Sequence, residues 1–390
     1  MMEQCRNKNI RNFRKMRKKK IRILHVSQAA GGVDRYIRML IKYLDKERFE
    51  NILVCSLDFH AEDYKGLVDS FEQIEMNRAI GSYDLTAIVQ VRKLIKKYKP
   101  DIVYAHSSKA GAIARIADIG CKNYCVYNPH GWAFNMRCSD KKRIMYIAIE
   151  KMAAQFCDKI ICISEAEKKS ALEKKICREN KLHVIFNGVD IEAYESGEHS
   201  KVKRKELCIP EDAFVVGMVG RISSQKAPDV FVKMAKLVKE EVPNAHFIIV
   251  GNGDMEAEIR KYAEDNDFSE NLHITGWVDN PMNYVELFDV ACLLSRWEGF
   301  GLALPEYMMA GKPIVASRVD AIPYIIRNEK NGLLVNVDDA DGASDAVLRI
   351  YQKNELKNKF VTQGLKDVHD RFDARRVSEQ HGMLFENMIR

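Results

Sequence analysis

The chain has 390 residues, 46% of them hydrophobic and 30% charged, with a formal net charge of +7. That length is about twice a typical domain and argues for two, and the composition is that of a soluble globular chain. No apolar run approaches the ~18 residues of a membrane-crossing helix, and the basic start is not followed by the apolar stretch of a signal peptide.

The charge is local. Residues 1–20, MMEQCRNKNIRNFRKMRKKK, hold nine Lys/Arg and one Glu, so the rest of the chain sums to about −1. Such a tail suits either a solvated terminus or attraction to an anionic membrane surface. A nucleic-acid partner is not expected, because interleaved aromatics and a groove-reading motif are missing. The ten cysteines are scattered without a C-x-x-C or a metal-ligand spacing. They are expected to pack as small hydrophobes in a reducing compartment.

In chain order, IRILHVS (21–27) predicts a strand, and residues 34–49 have a helical pattern. NILVCSL (51–57), a helix over 84–98, and DIVYAHS (101–107) follow. KAGAIARIADIG reads as a short helix; CVYNPHG and KIICIS read as strands with a helix over 139–157 between them. HVIFNGV (183–189) closes this series. After a polar connection over 196–212 a second series runs through AFVVGMVGR, AHFIIVGNG, NLHITGWV, FDVACLLS, KPIVASRV and GLLVN. Strand–helix alternation predicts parallel sheets covered by helices, hence two doubly wound α/β domains over 21–195 and 213–373.

Such sheets bind ligands beyond the carboxyl ends of their strands. In the first domain Gly31-Gly32 follows a strand, as a plain turn or as a place of close ligand approach. His130, between Pro129 and Gly131, also follows a strand; it is a site candidate, although lone histidines often serve structure. In the second domain VVGMVG runs into RISSQKAPD, where Arg221 and Lys226 flank a turn before a helix. Two cations and a helix start suit a diphosphate. SRWEGFGLALPEYMMAGKPIVAS (295–317) carries two acids, Glu298 and Glu306, on a glycine-rich turn. Carboxylates repel phosphate but accept hydrogen bonds from hydroxyls. A ligand with hydroxyls on both sides of a diphosphate is a nucleotide sugar.

EGFGLALPE resembles the E-x7-E motif of family 4 glycosyltransferases, which have the GT-B fold. GGVDRYI, HSSKAGAIARIA, NPHGWAF, ISEAEKKSA, FNGVD, VGRISSQKAPD, VGNGD, AGKPIVAS and NGLLV follow in the family's order. The resemblance implies two Rossmann-like domains facing a cleft, with a last helix over 374–390 crossing back to the first. It implies retaining transfer of a sugar from a nucleotide diphosphate donor. Glu306 would bind ribose, Glu298 the donor sugar, and Arg221 and Lys226 the diphosphate. The backbone around Gly299, Phe300, Gly301 and Leu302 would meet sugar and phosphate. His130 would lie beside the donor sugar, and Gly31-Gly32 would approach from the other domain. GWVDN, with Trp277 and Val278, would line the base pocket chiefly with backbone. No cofactor or metal is implied: Asp265, Asp267, Asp339 and Asp341 match D-x-D spacing but read as polar loop acids.

The resemblance extends to bacterial capsular and extracellular polysaccharide enzymes, at HSSKAG and NPHGWAF. It implies a UDP-sugar, a polyprenyl-diphosphate-linked saccharide acceptor, and a cytoplasmic enzyme peripheral to the inner membrane face. A nucleotide-sugar epimerase and a non-catalytic nucleotide-sugar-binding protein are the alternatives.

Overall fold

The apolar runs become two parallel sheets in the computed structural model, which describes residues 19–28, 31–77, 81, 83–136, 138–197 and 202–390. The basic tail up to residue 18, and residues 198–201 of the polar connection, lie outside the described residues. The first sheet contains β1 (Ile21–Ser27), β2 (Phe49–Cys55), β3 (Ser70–Gln73), β4 (Ile102–His106), β5 (Tyr124–Asn128), β6 (Lys159–Cys162) and β7 (Leu182–Val184), ordered β3-β2-β1-β4-β5-β6-β7. The second contains β8 (Phe214–Val219), β9 (Ala245–Val250), β10 (Leu272–Ile274), β11 (Val290–Leu293), β12 (Ile314–Ser317) and β13 (Leu333–Val335), ordered β10-β9-β8-β11-β12-β13. Both orders reverse direction after a central strand, which is the doubly wound pattern the sequence predicts.

Sheets covered on both faces need strands that are apolar on both faces. In the second sheet Val216, Phe247, Ile249, Val290 and Cys292 feed one core, and Val215, Ile248, Val250, Ala291 and Leu293 feed the other. Neighbouring residues of one strand therefore enter opposite layers.

Four elements differ from expectation. The first helix spans Gly32–Tyr43 and stops short of residue 49, because Leu44 turns to extended geometry and Phe49 pairs with Ile21 in the sheet. That pairing also moves β2 two residues earlier than expected. β3, SFEQ, has one apolar residue and no strand pattern; pairing with β2 makes it a strand. The helix expected over 139–157 is regular over Asp140–Ala153, then tightens into the 3-10 turn Ala154–Phe156.

The chain packs as two units. One runs to Asn128 and takes in Phe156–Lys159 and Ser378–Arg390; the other holds Pro129–Gln155 and Ile160–Val377. In the first, most of the last helix, Ala374–Ile389, is tied down by buried polar bonds. His381 Nε2 lies 2.7 Å from the Tyr36 hydroxyl and 3.3 Å from that of Tyr104, and Ser378 Oγ donates to the Leu40 carbonyl. The described cysteines are all free, and Cys55, Cys125, Cys157, Cys162 and Cys292 are buried. No described helix is long and apolar enough to cross a membrane.

Candidate functional site

The second unit places its unusual residues on loops after β8 and β11, which are hydrogen-bonded neighbours. After β8 the chain passes through Gly220 and Arg221 to Lys226, then enters the helix Pro228–Glu241 through Ala227, which has φ of 49°. This loop is pinned from two sides. Gly220 N–H donates to the Val250 carbonyl and Ile222 N–H to Asn252, while Arg296 N–H donates to Gln225. The glycines of VGNGD permit the first contact. A Cβ on Gly251 would stand 2.1 Å from the Gly220 oxygen, and one on Gly253 2.1 Å from the Ile222 oxygen. The motif therefore acts here by letting two backbones touch.

The loop after β11 brings an acid to one of the two cations. Lys226 Nζ lies 2.5 Å from Glu298 Oε2, and both side chains are largely shielded. Ser295 Oγ donates to the same carboxylate oxygen at 3.2 Å, and the Glu298 backbone N–H donates to Asp320 at 2.9 Å. Burial pushes the Asp320 carboxyl above its ordinary value. Arg221 is exposed and pairs with no acid among the described residues. The two cations expected at one diphosphate thus start differently, one neutralised and one open to solvent.

Arg296, which sequence reasoning passed over, braces this arrangement. Its guanidinium holds Asp229 through two bonds of 2.6 and 3.0 Å, Asp338 at 2.6 Å and the Ser224 carbonyl at 3.0 Å. Its only signal in the sequence is its place between Ser295 and Trp297. Glu306 sits in the first turn of the helix Ala303–Met309 and is buried. Its backbone N–H already donates to Leu302. Leu302 is the residue before that helix, and the Phe300 ring is buried against Phe186 and Phe372. Phe300 thus offers a ligand backbone alone.

His130 lies in the same unit, on the turn after β5, with φ of 51°. A non-glycine residue in that region stores strain that its surroundings must hold. The same turn meets Glu167 of the helix Glu165–Glu173, which is buried. Its carboxylate accepts the Ile163 N–H at 2.8 Å, and its carbonyl accepts the Trp132 indole N–H at 3.0 Å. The Gly131 N–H lies close enough to lower its pKa, although Oε1 has no bond of ordinary geometry. Ser164, which caps this helix through the Glu167 N–H, donates to the Gly299 carbonyl at 3.4 Å. A Cβ placed on Gly299 would meet Gly131 Cα at 3.4 Å. The turns carrying His130 and Glu298-Gly299 are therefore in contact, a meeting no local pattern could reveal.

The remaining candidates are spread out. Gly276 bridges to Gly251; Trp277 beside it is 71% exposed and Val278 packs on the core. Gly31 and Gly32 belong to the first unit, where Gly31 precedes the helix Gly32–Tyr43. Asp339 caps the helix Ala340–Gln352 by accepting the Gly342 N–H, and Asp265 ends the helix Glu256–Asp265.

An open cation and a shielded acid–cation pair near the positive end of the helix Pro228–Glu241 can bind an anion flanked by hydroxyls. The comparisons with known proteins agree with that chemistry. Residues 30–193 match the family model "Glycosyltransferase Family 4", and residues 200–367 match "Glycosyl transferases group 1". The chain is 31% identical over 362 residues to an Escherichia coli UDP-Gal:alpha-D-GlcNAc-diphosphoundecaprenol alpha-1,3-galactosyltransferase, covering 88% of this chain and 92% of that enzyme. It is 23% identical to the Staphylococcus aureus capsular polysaccharide biosynthesis glycosyltransferase CapM, over 95% and 98% of the two chains. Among solved structures, Anabaena HepE in complex with UDP and glucose superposes with a TM-score of 0.79 at 18% identity, over 93% of this chain and 99% of that one. The chain belongs to glycosyltransferase family 4, has the GT-B fold, and is related to enzymes of bacterial polysaccharide synthesis.

Proposed function

We propose that this glycosyltransferase moves a hexose or N-acetylhexosamine from a UDP-sugar to a polyprenyl-diphosphate-linked saccharide, with retention of configuration, during synthesis of a capsular or extracellular polysaccharide. The observation that carries this is the Lys226–Glu298 pair beside the open Arg221. The name of the E. coli relative, with its UDP-Gal donor and diphosphoundecaprenol-linked acceptor, supports both substrate classes.

In this reading the entering diphosphate draws Lys226 toward itself, next to Arg221. Glu298 is released from its partner and accepts hydroxyl hydrogen bonds of the donor sugar. Glu306 does the same for ribose. The departing diphosphate gains negative charge, so the two cations stabilise the transition state more than the bound donor. His130 lies beside the sugar, a reading supported by the contact between its turn and Gly299. The backbone of Gly299 to Leu302 meets sugar and phosphate, and Gly276 to Val278 lines the base. The same two cations supply the positive charge the leaving group needs, and no metal is called for. The enzyme works at the inner face of the plasma membrane, where its lipid-linked acceptor is held.

The test is release of nucleoside diphosphate from a panel of nucleotide sugars, with and without a polyprenyl-diphosphate saccharide. Transfer to the lipid-linked acceptor with an α linkage is the expected product. An epimer formed from donor alone would mark a nucleotide-sugar epimerase, and binding without turnover would mark a non-catalytic protein.

A further inference from the structure

The helix Asp140–Ala153 has its solvent side the wrong way round for a surface helix. Helices of soluble proteins turn their apolar stripe to the core. Here only Glu150 and Ala153 are buried, whereas Ile144 is 67%, Met152 58% and Met145 43% exposed. At 100° per residue, Ile144, Ala148, Met152 and Met145 fall within about 100° of arc. Exposed Lys151 borders one side of that arc, exposed Lys142 lies about 60° beyond the other, and exposed Lys141 falls within the arc at the helix start. The helix has two acids. Glu150 is buried and Asp140 is paired with Arg143 at 2.7 Å. The outward face is therefore apolar along most of its length and positive at its sides and its N-terminal end.

We propose that the helix Asp140–Ala153 docks on an anionic lipid surface, with Ile144, Met145 and Met152 entering the headgroup boundary and Lys141, Lys142 and Lys151 meeting lipid phosphates. Helices that lie in a membrane interface have this division of faces. A second copy of the chain would have to offer acids to the three lysines, and the exposed acid bordering this face, Asp140, is already paired with Arg143. The helix starts a few residues after the strained His130 turn, and Asn135 between them is held by Ser170 at 2.8 Å. Docking by this face holds the His130 turn near the surface on which a lipid-linked acceptor waits. The proposal rests on the lipid-linked acceptor reading above and gives that reading a contact surface.

The test is co-sedimentation of the full chain with phosphatidylcholine vesicles, with and without phosphatidylglycerol. Ile144→Glu/Met152→Glu should detach the protein from anionic vesicles by roughly tenfold or more, given the cost of placing charge in the apolar layer. Lys141→Glu/Lys142→Glu/Lys151→Glu should weaken binding by roughly fivefold per lysine on anionic vesicles alone. Leu85→Glu/Val89→Glu, on the exposed face of the helix Tyr83–Tyr98, should bind as the parent does. Calorimetry with UDP should give the parent affinity for every variant and so verify folding. Sedimentation of both helix variants as full as the parent's, with or without residues 1–18, overturns the proposal. So does detachment by the Leu85/Val89 variant alone. So does a shift in light-scattering mass by the Ile144/Met152 variant with vesicle binding unchanged, which would make this face a contact between copies. Vesicle binding is read without any donor. Intact binding with no transfer to a lipid-linked saccharide would therefore sink the functional reading and leave the docking surface standing.

Discussion

Lys226 and Glu298 stand 72 positions apart in the chain and 2.5 Å apart in space. They meet because β8 and β11 are neighbours in the sheet, so the loops leaving their carboxyl ends lie side by side. The pair joins the group proposed for the diphosphate to the group proposed for the sugar.

Removing one member of a shielded pair leaves the other charge without its partner. Lys226→Met and Glu298→Gln should each cost about 2 kcal/mol or more of stability, while the double variant should cost less than the sum. Chemical denaturation of the four proteins gives the coupling directly. Strictly additive losses would mean that the pair contributes nothing to the resting state.

Turnover separates the two cations from simple binding groups. Arg221→Ala and Lys226→Ala should lower kcat and not merely raise KM, because leaving-group charge grows in the transition state. Activity should persist in excess chelator. Loss under chelation, restored by magnesium or manganese, would return a metal to the mechanism.

The two acids should differ in which ligand they affect. Glu306→Ala should weaken UDP-sugar and free UDP alike, by roughly 1.5–3 kcal/mol. Glu298→Ala should weaken the intact donor more than free UDP. Equal losses from both substitutions on both ligands, read by calorimetric titration, would end the division between ribose and sugar.

Glu167 gives a pH dependence with a definite sign. Burial lifts its carboxyl from 4.5 to about 8, so between those values the folded chain keeps a proton that the unfolded chain has lost. Its contribution to stability is full below about pH 4.5 and declines as the pH rises toward 8, by at most about 1.4 kcal/mol per pH unit. Burial also lifts the nearby Cys162 thiol well above its usual value, so it stays neutral in this window. Glu167→Gln keeps an oxygen acceptor for the Ile163 N–H and cannot ionise. Its urea midpoint relative to the parent should climb between pH 5 and pH 8. A constant difference would exclude Glu167 as the titrating group.

Glycines in the two units should respond differently. Gly253→Ala puts a Cβ onto the Ile222 oxygen and should cost about 1–3 kcal/mol through overpacking, with donor binding lost as the loop shifts. Gly32→Ala meets nothing within 4 Å at an ordinary φ and should leave the melting temperature nearly unchanged. If Gly32→Ala nevertheless lowers turnover, a ligand approaches there; full activity would remove Gly32 from the donor site.

Much of the architecture was legible in the sequence because it is written in local patterns. Strands buried on both faces read as near-continuous apolar runs, and FVVGMV and FIIV are such runs. The spacing of Glu298 and Glu306 was equally plain, since both belong to one loop and the helix it enters. β3 escaped notice because SFEQ becomes a strand only through its neighbour β2. The Lys226–Glu298 pair, the Arg296 clamp on Asp229 and Asp338, and the contact of Glu167 with the His130 turn were invisible for a related reason. Each joins side chains from separate loops or helices, and which of these become neighbours is set by strand order and by the packing of helices on the sheets. The sequence by itself determined which residue types stand at the ends of the strands. Only the tertiary structure decided which of those charges neutralise one another and which are left to meet a ligand.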